Sequence, residues 1–328
     1  MNPLLSLQPP GLRRLAALVW RELLEFRGML VYGPFAVVAL VLIFGLLGVA
    51  LSEKHMVQID GSPLIAKGAL AALEDPQYAD KLRIGLDSAL WAVGLLVHLT
   101  LGLTVFFYAL SATYDERKDR SILFWRSLPT SDLEAVAAKV LTALIVAPAI
   151  ALVALVILQL GTLLVVALGV SLRDGNAWSL IFSKASPLTA ALRYIALYLV
   201  NTLWLLPLVG WLFLVGVWAG RMPFLWATLG PVLLYALNQW AHWFFNVPTV
   251  AQHFLNLLGA RAISLAMPIP PEGAGDRGRY FDQLSKNGLP PWTDPFSTLA
   301  EPNLWIGAVI GIAMLAGAVW IRRRRDEG

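Results

Sequence analysis

Long apolar stretches recur along the chain, and short segments rich in charge separate them. A helix needs about 20 apolar residues to cross a bilayer core of about 30 Å. Six stretches reach that length, and they run from Met29 to Leu51, Ala89 to Ala112, Val136 to Val170, Ala190 to Ala219, Phe224 to Phe245, and Leu304 to Ile321. The pattern predicts an all-α, polytopic membrane protein with about six transmembrane helices, organised as a single domain over residues 1–328.

The third and fourth stretches are longer than one crossing requires, and they contain Pro148 and Pro207 respectively. Proline lacks an amide hydrogen, and its ring clashes with the carbonyl one turn earlier. We therefore expect a kink, a tilt or an extension beyond the membrane in these two helices.

The segment 1–28, before the first crossing, has apolar residues at spacings of three and four. These residues are Leu12, Leu15, Val19, Leu23 and Phe26. The opposite side carries charged residues, which are Arg13, Arg14, Arg21 and Glu25. This periodicity predicts an amphipathic helix that lies flat at the inner membrane interface. The alternative is a helix that extends the first crossing into the cytosol.

Composition narrows the class of protein further. The chain is 58% hydrophobic and only 14% charged, whereas ordinary globular domains are about 25% charged. Its 13 Trp residues fit the aromatic belts of membrane proteins. It contains no Cys, which excludes disulfide scaffolds, thiolate zinc sites and cysteine nucleophiles.

The distribution of Lys and Arg predicts the orientation in the membrane. Basic residues cluster on the short segments at one side, at Arg13, Arg14, Arg21, Arg27, Arg117, Lys118, Arg120, Arg126, Lys139, Arg221 and the block Arg322–Arg325. Positive charge near helix ends marks the cytoplasmic side, so both termini are expected to face the cytoplasm. The basic C-terminal block can also attract anionic lipid.

The loop at residues 113–135, between the second and third crossings, combines dense charge with aromatic side chains. It begins with the run from Tyr114 to Arg120 and continues through Phe124 and Trp125 to Pro129. Ser131 and Glu134 have the spacing of a capping box, which predicts that a new helix starts there. A short cytoplasmic helix is expected in between. Its aromatic residues either form a docking surface for another protein or dip into the lipid headgroups.

The sequence from Tyr114 to Lys139, with this interfacial helix and six crossings, resembles the inner loop and layout of ABC-2 type permeases. These permeases are membrane subunits of ATP-binding-cassette exporters. The resemblance implies a coupling helix over Glu116–Leu128 that fits a groove on a separate ATPase subunit. It places the contacts at Glu116, Arg117, Arg120, Leu123, Phe124, Trp125 and Arg126.

The resemblance also implies a bacterial cytoplasmic membrane protein that pairs with a second copy or with a related permease. ATP and Mg²⁺ are expected on the ATPase partner, because the chain has no phosphate-binding loop ending in Gly-Lys-Ser or Gly-Lys-Thr. No cofactor on this chain, no catalytic or metal-ligating residue and no nucleic-acid partner is expected. The sequence leaves the substrate open.

Two other classes remain as alternatives, an ion-coupled carrier and an intramembrane enzyme. Carriers usually place ionisable residues at mid-membrane, and the centres of these crossings contain none. The notable polar residues are His98, Gln159, Asn201, Asn238, Gln239 and His242, which we expect to form hydrogen bonds between helices. The outer segment 247–303 opens with an apolar run too short to cross, which predicts a re-entrant or interfacial helix.

Overall fold

The computed structural model describes residues 10–52, 79–118, 130–245, 259–265, 282, 285–288 and 296–324. Within these ranges the backbone is helical almost throughout and contains no strand, which confirms the all-α prediction. The helices are α1 (Pro10–Glu25), α2 (Gly33–Ser52), α3 (Ala79–Lys118), α4 (Asp132–Leu141), α5 (Ala147–Ser171), α6 (Pro187–Trp204), α7 (Leu206–Trp218), α8 (Pro223–Phe245) and α9 (Pro302–Arg324). Short π-helical turns precede α2, α5 and α6.

Four helical segments of the described chain are long and apolar enough to cross a membrane. They are Gly28–Leu51, Ala79–Glu116, Asp132–Ser171 and Pro302–Arg324. A fifth candidate is the bent pair Trp178–Trp204 and Leu206–Trp218. The described part of the chain is therefore all-helical, with four to five candidate membrane spans. The 23 residues of α8 have the required length, but the helix is not among these spans.

The fourth predicted crossing bends by 52° between α6 and α7. The bend falls at Leu205, two residues before Pro207, which cannot donate a backbone hydrogen bond into α6. The expected kink is therefore present at Pro207. Helix α5 contains Pro148 at its second residue, and a π-helical turn over Thr142–Val146 precedes it. The Leu144 carbonyl, one turn before Pro148, lies 3.1 Å from the Thr202 hydroxyl, which can donate to it.

Close contacts at glycines show that two pairs of helices run in parallel. In the first pair, Gly161 and Gly169 of α5 pack against Leu42 and Val49 of α2, in the same order along both chains. In the second pair, Gly311 of α9 packs on the start of α7, and Gly317 faces Leu214 further along. A Cβ at Gly311 would lie 2.6 Å from the Pro207 backbone nitrogen, so only glycine permits this approach.

Side-chain contacts give the directions of the remaining helices. The Asp87 carboxylate accepts a hydrogen bond from the Ser186 amide at 3.0 Å, and the His98 and Tyr198 rings stack at 5.6 Å, so α3 and α6 run in parallel. The rings of Trp218 and Trp226 lie 5.3 Å apart across the turn from α7 to the antiparallel α8. Helices α3, α6–α7 and α9 therefore run in one direction, and α2, α4–α5 and α8 run in the other.

The core lies where α3, α5, α6 and α7 pack together. Its largest fully buried side chains include Tyr108, Leu155, Tyr194 and Phe213. Many apolar residues point outwards instead, such as Trp243, which is 81% exposed. A soluble protein would not tolerate so much exposed apolar surface, whereas lipid chains cover it at no cost.

Candidate functional site: a buried ionic cluster

Four helix ends meet at one side of the bundle, which we call the base. They are the last turns of α1, α3 and α9 and the first turns of α4. Seven charged or polar side chains at or near these ends form one connected network, the ionic cluster, to which α4 contributes from both its first and its last turn. Its members are Arg21, Glu22, Tyr108, Glu116, Asp132, Lys139 and Arg322. The cluster joins parts of the chain that are far apart in sequence.

One half of the ionic cluster is built around Glu22 of α1, whose side chain is 1% exposed. One carboxylate oxygen accepts a hydrogen bond from the Lys139 ammonium at 2.7 Å and also contacts Arg21. The other oxygen accepts a hydrogen bond from the Tyr108 hydroxyl at 2.9 Å. Both oxygens of this buried carboxylate are thus satisfied.

The other half is built around Glu116, near the end of α3. Its Oε1 lies 3.1 Å from Lys139 Nζ and accepts a hydrogen bond from Arg21 at 2.9 Å. Its Oε2 accepts a hydrogen bond from Arg322 Nη1 at 2.8 Å. The same Arg322 guanidinium donates through Nε to Asp132 at 3.0 Å. Lys139 therefore links two glutamates, and Arg322 links two carboxylates on different helices.

Charge balance explains why the ionic cluster can exist at this depth. It contains the carboxylates of Glu22, Glu116 and Asp132 and the cations of Arg21, Lys139 and Arg322, so its formal charge is zero, and the more exposed Glu25 carboxylate lies outside it, 3.8 Å from Arg21. A lone buried charge costs several kcal/mol in practice, and pairing with good hydrogen bonds offsets that cost. Partial burial lowers the pKa of Arg21, but the Glu22 and Glu116 carboxylates outweigh this effect and raise it.

Local sequence signals position several members of the ionic cluster. Ser131 caps α4, its hydroxyl accepting from the Glu134 amide at 3.1 Å while the Glu134 carboxylate accepts from the Ser131 amide at 2.8 Å. The predicted capping box is confirmed. It fixes the first turn of α4, and this places Asp132 towards Arg322.

Of the predicted docking residues, the structure describes the side chain of Glu116 alone. That side chain is only 3% exposed, and its carboxylate points into the ionic cluster. Arg117 lies in the last turn of α3. Arg120, Leu123, Phe124, Trp125 and Arg126 lie outside the described residues, so the docking surface stays a prediction.

The ionic cluster holds both flanks of the predicted coupling loop. Glu116 comes shortly before residues 119–129, and Asp132 comes shortly after them. Arg322 binds both carboxylates, at 2.8 and 3.0 Å. One guanidinium at the end of α9 therefore clamps the two ends of this loop together.

Another buried cation, separate from the ionic cluster, lies at the bend between α6 and α7. Arg261, in the short helix 259–265, is 2% exposed and donates hydrogen bonds to the Trp204 carbonyl at 2.9 Å and the Asn303 carbonyl at 3.0 Å. Its guanidinium also stacks on the Trp204 ring at 4.2 Å. A cation is favourable at the C-terminal end of a helix, where carbonyls carry partial negative charge. Arg261 thus caps the broken end of α6.

Polar side chains between the helices mostly bind backbone carbonyls. His98 Nε2 lies 2.9 Å from the Ser264 carbonyl, and the Gln159 amide donates to the Leu90 carbonyl at 3.4 Å. These two contacts confirm the predicted interhelical hydrogen bonds for His98 and Gln159, whereas the Gln239 amide donates at 2.9 Å to the Tyr235 hydroxyl within its own helix. Beside His98, a cavity of about 20 Å³ is also lined by Tyr198 and Asn201, which is room for about one water molecule.

Sequence reasoning missed Glu22 and Arg261 as functional residues. A signal for Glu22 was present, because it falls three residues after Val19 and four before Phe26, on the apolar side of α1. A carboxylate on an apolar helix face indicates a buried partner. Arg261 stands in an apolar run in the same way.

Comparison with known proteins identifies no relative. The chain has no significant match to a protein-family model, a curated protein or a solved structure.

Proposed function

We propose that the chain is the membrane subunit of an ABC-2 type exporter, driven by a separate ATPase subunit. The observation that carries the proposal is the resemblance of the stretch from Tyr114 to Lys139, together with the way its flanks are held. A loop that transmits a movement of the ATPase must be attached firmly to the membrane helices. Glu116 and Asp132 supply this attachment, because both bind Arg322 of α9.

The helix directions support six crossings. Helices α7 and α9 run in parallel, so the chain must return across the bundle between them. The helix available for this return is α8, which has 23 residues and packs antiparallel to α7 through the hydrogen bond from Trp211 to the Ala227 carbonyl at 3.1 Å. We therefore take α8 as the fifth crossing, although Asn238, Gln239 and His242 make it less apolar.

The exposure pattern of α1 supports an interfacial position. The helix buries Leu18 and Glu22 against the bundle and exposes Leu12, Trp20 and Leu24, which are 50% exposed or more. Apolar side chains on the outer face of a helix at the base suit the boundary between headgroups and acyl chains. We take this side, and both termini with it, to lie at the cytoplasmic face of a bacterial inner membrane, because basic residues near helix ends favour that face.

Burial of the 259–265 helix supports the re-entrant alternative for the outer segment. Ser264 and Leu265 are buried, and Leu265 packs against Gly102 in the middle of α3. An interfacial helix would lie on the membrane surface and would not contact α3 at this depth.

In the proposed mechanism, ATP binding closes the two ATPase subunits and moves the coupling loop. The loop displaces Glu116 and Asp132, and Arg322 transmits this displacement to α9. Lys139 and Glu22 carry it to α4 and α1. A second copy or a related permease completes the pathway for the substrate.

The test is a double substitution in the loop, Trp125→Ala with Arg126→Ala. Truncating residues that anchor an interface typically costs about 2 kcal/mol or more, so affinity for the ATPase should fall at least about thirtyfold. Co-purification with a candidate ATPase subunit and ATP-driven transport in proteoliposomes are measured. The isolated chain should not hydrolyse ATP.

The matched control is Arg277→Ala with Arg279→Ala, which removes charge from the predicted outer segment and should leave ATPase association unchanged. Wild-type association and transport by the Trp125/Arg126 variant would contradict the proposal. Transport that persists without any ATPase and follows an ion gradient would favour the ion-coupled carrier.

A further inference from the structure

A polar cleft opens at the base, beside the ionic cluster. It has a volume of about 400 Å³ and lies between α1, the start of α4 and the end of α9. Its charged lining consists of Arg21, Asp132, Arg322 and Arg323. Three cations and one carboxylate thus line the cleft.

Arg323 carries a positive charge that no carboxylate of the ionic cluster neutralises. Its side chain is exposed, and it forms no ion pair with any carboxylate in the described part of the chain. Arg322, by contrast, already binds Glu116 and Asp132. The ionic cluster is neutral, and Glu25, which lies 3.8 Å from Arg21, does not line the cleft, so Arg323 gives the cleft lining a net positive charge.

An apolar groove of about 630 Å³ adjoins this cleft and runs between α4 and α9. Each helix lines it with one face, at spacings of three and four residues. These lining residues include Leu133, Val136, Val140, Ile312, Leu315 and Val319. Arg323 borders both the groove and the cleft. Trp320, also in the groove, carries the Arg324 guanidinium over its ring at 4.3 Å.

We propose that the cleft and the groove together bind one anionic phospholipid from the leaflet at the base. The phosphate lies among the arginines, and one acyl chain lies along the groove. From Ile312 to Arg323 the groove extends about 16 Å along α9, given the helical rise per residue. A free phosphate would use only the polar cleft. A lipid satisfies both the charge and the apolar lining, since each basic residue near a membrane surface favours anionic headgroups.

The proposed lipid site does not depend on whether the chain pairs with an ATPase. It adjoins Arg322, which holds the two ends of the coupling loop together. The headgroup would contact Arg322, the residue that holds Glu116 and Asp132. The lipid would therefore stabilise the base of the bundle.

The test is native mass spectrometry of the full chain in detergent, with equal amounts of phosphatidylglycerol and phosphatidylcholine of identical acyl chains. We expect one phosphatidylglycerol to be retained preferentially. Arg323→Gln should reduce this preference about fivefold, from the contribution of one basic residue. Arg221→Gln, which removes an exposed arginine from another loop predicted at the same membrane face, should not reduce it.

A second pair of variants tests the groove without altering charge. Ala316→Trp fills the groove and should displace the lipid, whereas Ala313→Trp, on the exposed surface of the same helix but outside the groove lining, should not. Equal retention of both lipids, or equal effects within either matched pair, would overturn the proposal. Competition by glycerol phosphate as strong as that by phosphatidylglycerol would identify a simple anion site and would also overturn it.

Discussion

Replacing Lys139 by Met should destabilise the protein strongly, because it leaves two buried carboxylates without their shared cation. The Lys139 ammonium is 0% exposed and lies 2.7 Å from Glu22 and 3.1 Å from Glu116. Removing one partner of a buried ion pair costs about 3–5 kcal/mol. At about 2–4 °C per kcal/mol, the unfolding midpoint should fall by on the order of 10 °C. Thermal unfolding in detergent, followed by tryptophan fluorescence, measures this shift.

The chain offers a matched control for this substitution. Lys286 pairs with Asp282 at the same distance, 2.7 Å, but its side chain is 69% exposed. Exposed pairs of this spacing contribute about 0.3–0.5 kcal/mol, so Lys286→Met should shift the midpoint by about 1 °C. If Lys139→Met has no larger effect than Lys286→Met, the ionic cluster does not stabilise the fold. Adding Glu22→Gln to Lys139→Met should restore part of the stability, because one uncompensated charge is removed.

Two further predictions concern packing and topology. Gly311→Val should cost about 3 kcal/mol of unfolding free energy, because its Cβ would lie 2.6 Å from the Leu206 backbone and force α7 and α9 apart. Gly48→Val, with nothing within 4 Å of the added Cβ, should be tolerated. Thermal unfolding of both variants in detergent checks this, and equal effects would contradict the close packing. Reporters fused after Arg325 should be cytoplasmic and reporters within Glu53–Asp87 external, and an external signal from the C-terminal fusion would contradict the six crossings.

Local features of the fold were accessible from the sequence. The capping box at Ser131 and Glu134 depends on residues three positions apart, and the bend near Pro207 depends on the missing amide of one residue. The apolar stretches likewise determine helices through their own composition. Such features need no knowledge of tertiary structure.

The ionic cluster was not accessible in the same way. Its contacts join residues as far apart as Glu116 and Arg322, which are 206 positions apart. From sequence, Lys139 and Arg322 counted as basic residues near the cytoplasmic face, and Glu116 counted as a docking residue. Which carboxylate meets which cation depends on how α1, α3, α4 and α9 pack, and periodicity along one helix does not contain that information.

The cap that Arg261 places on the broken end of α6 has a mechanical consequence. The guanidinium donates hydrogen bonds to both the Trp204 carbonyl and the Asn303 carbonyl. One side chain therefore links the bend between α6 and α7 to the start of α9. If the angle between α6 and α7 changes, the 259–265 helix must either move with α6 or break the hydrogen bonds that Arg261 donates to the buried Trp204 and Asn303 carbonyls. The bend angle between α6 and α7 and the position of the 259–265 helix are therefore coupled.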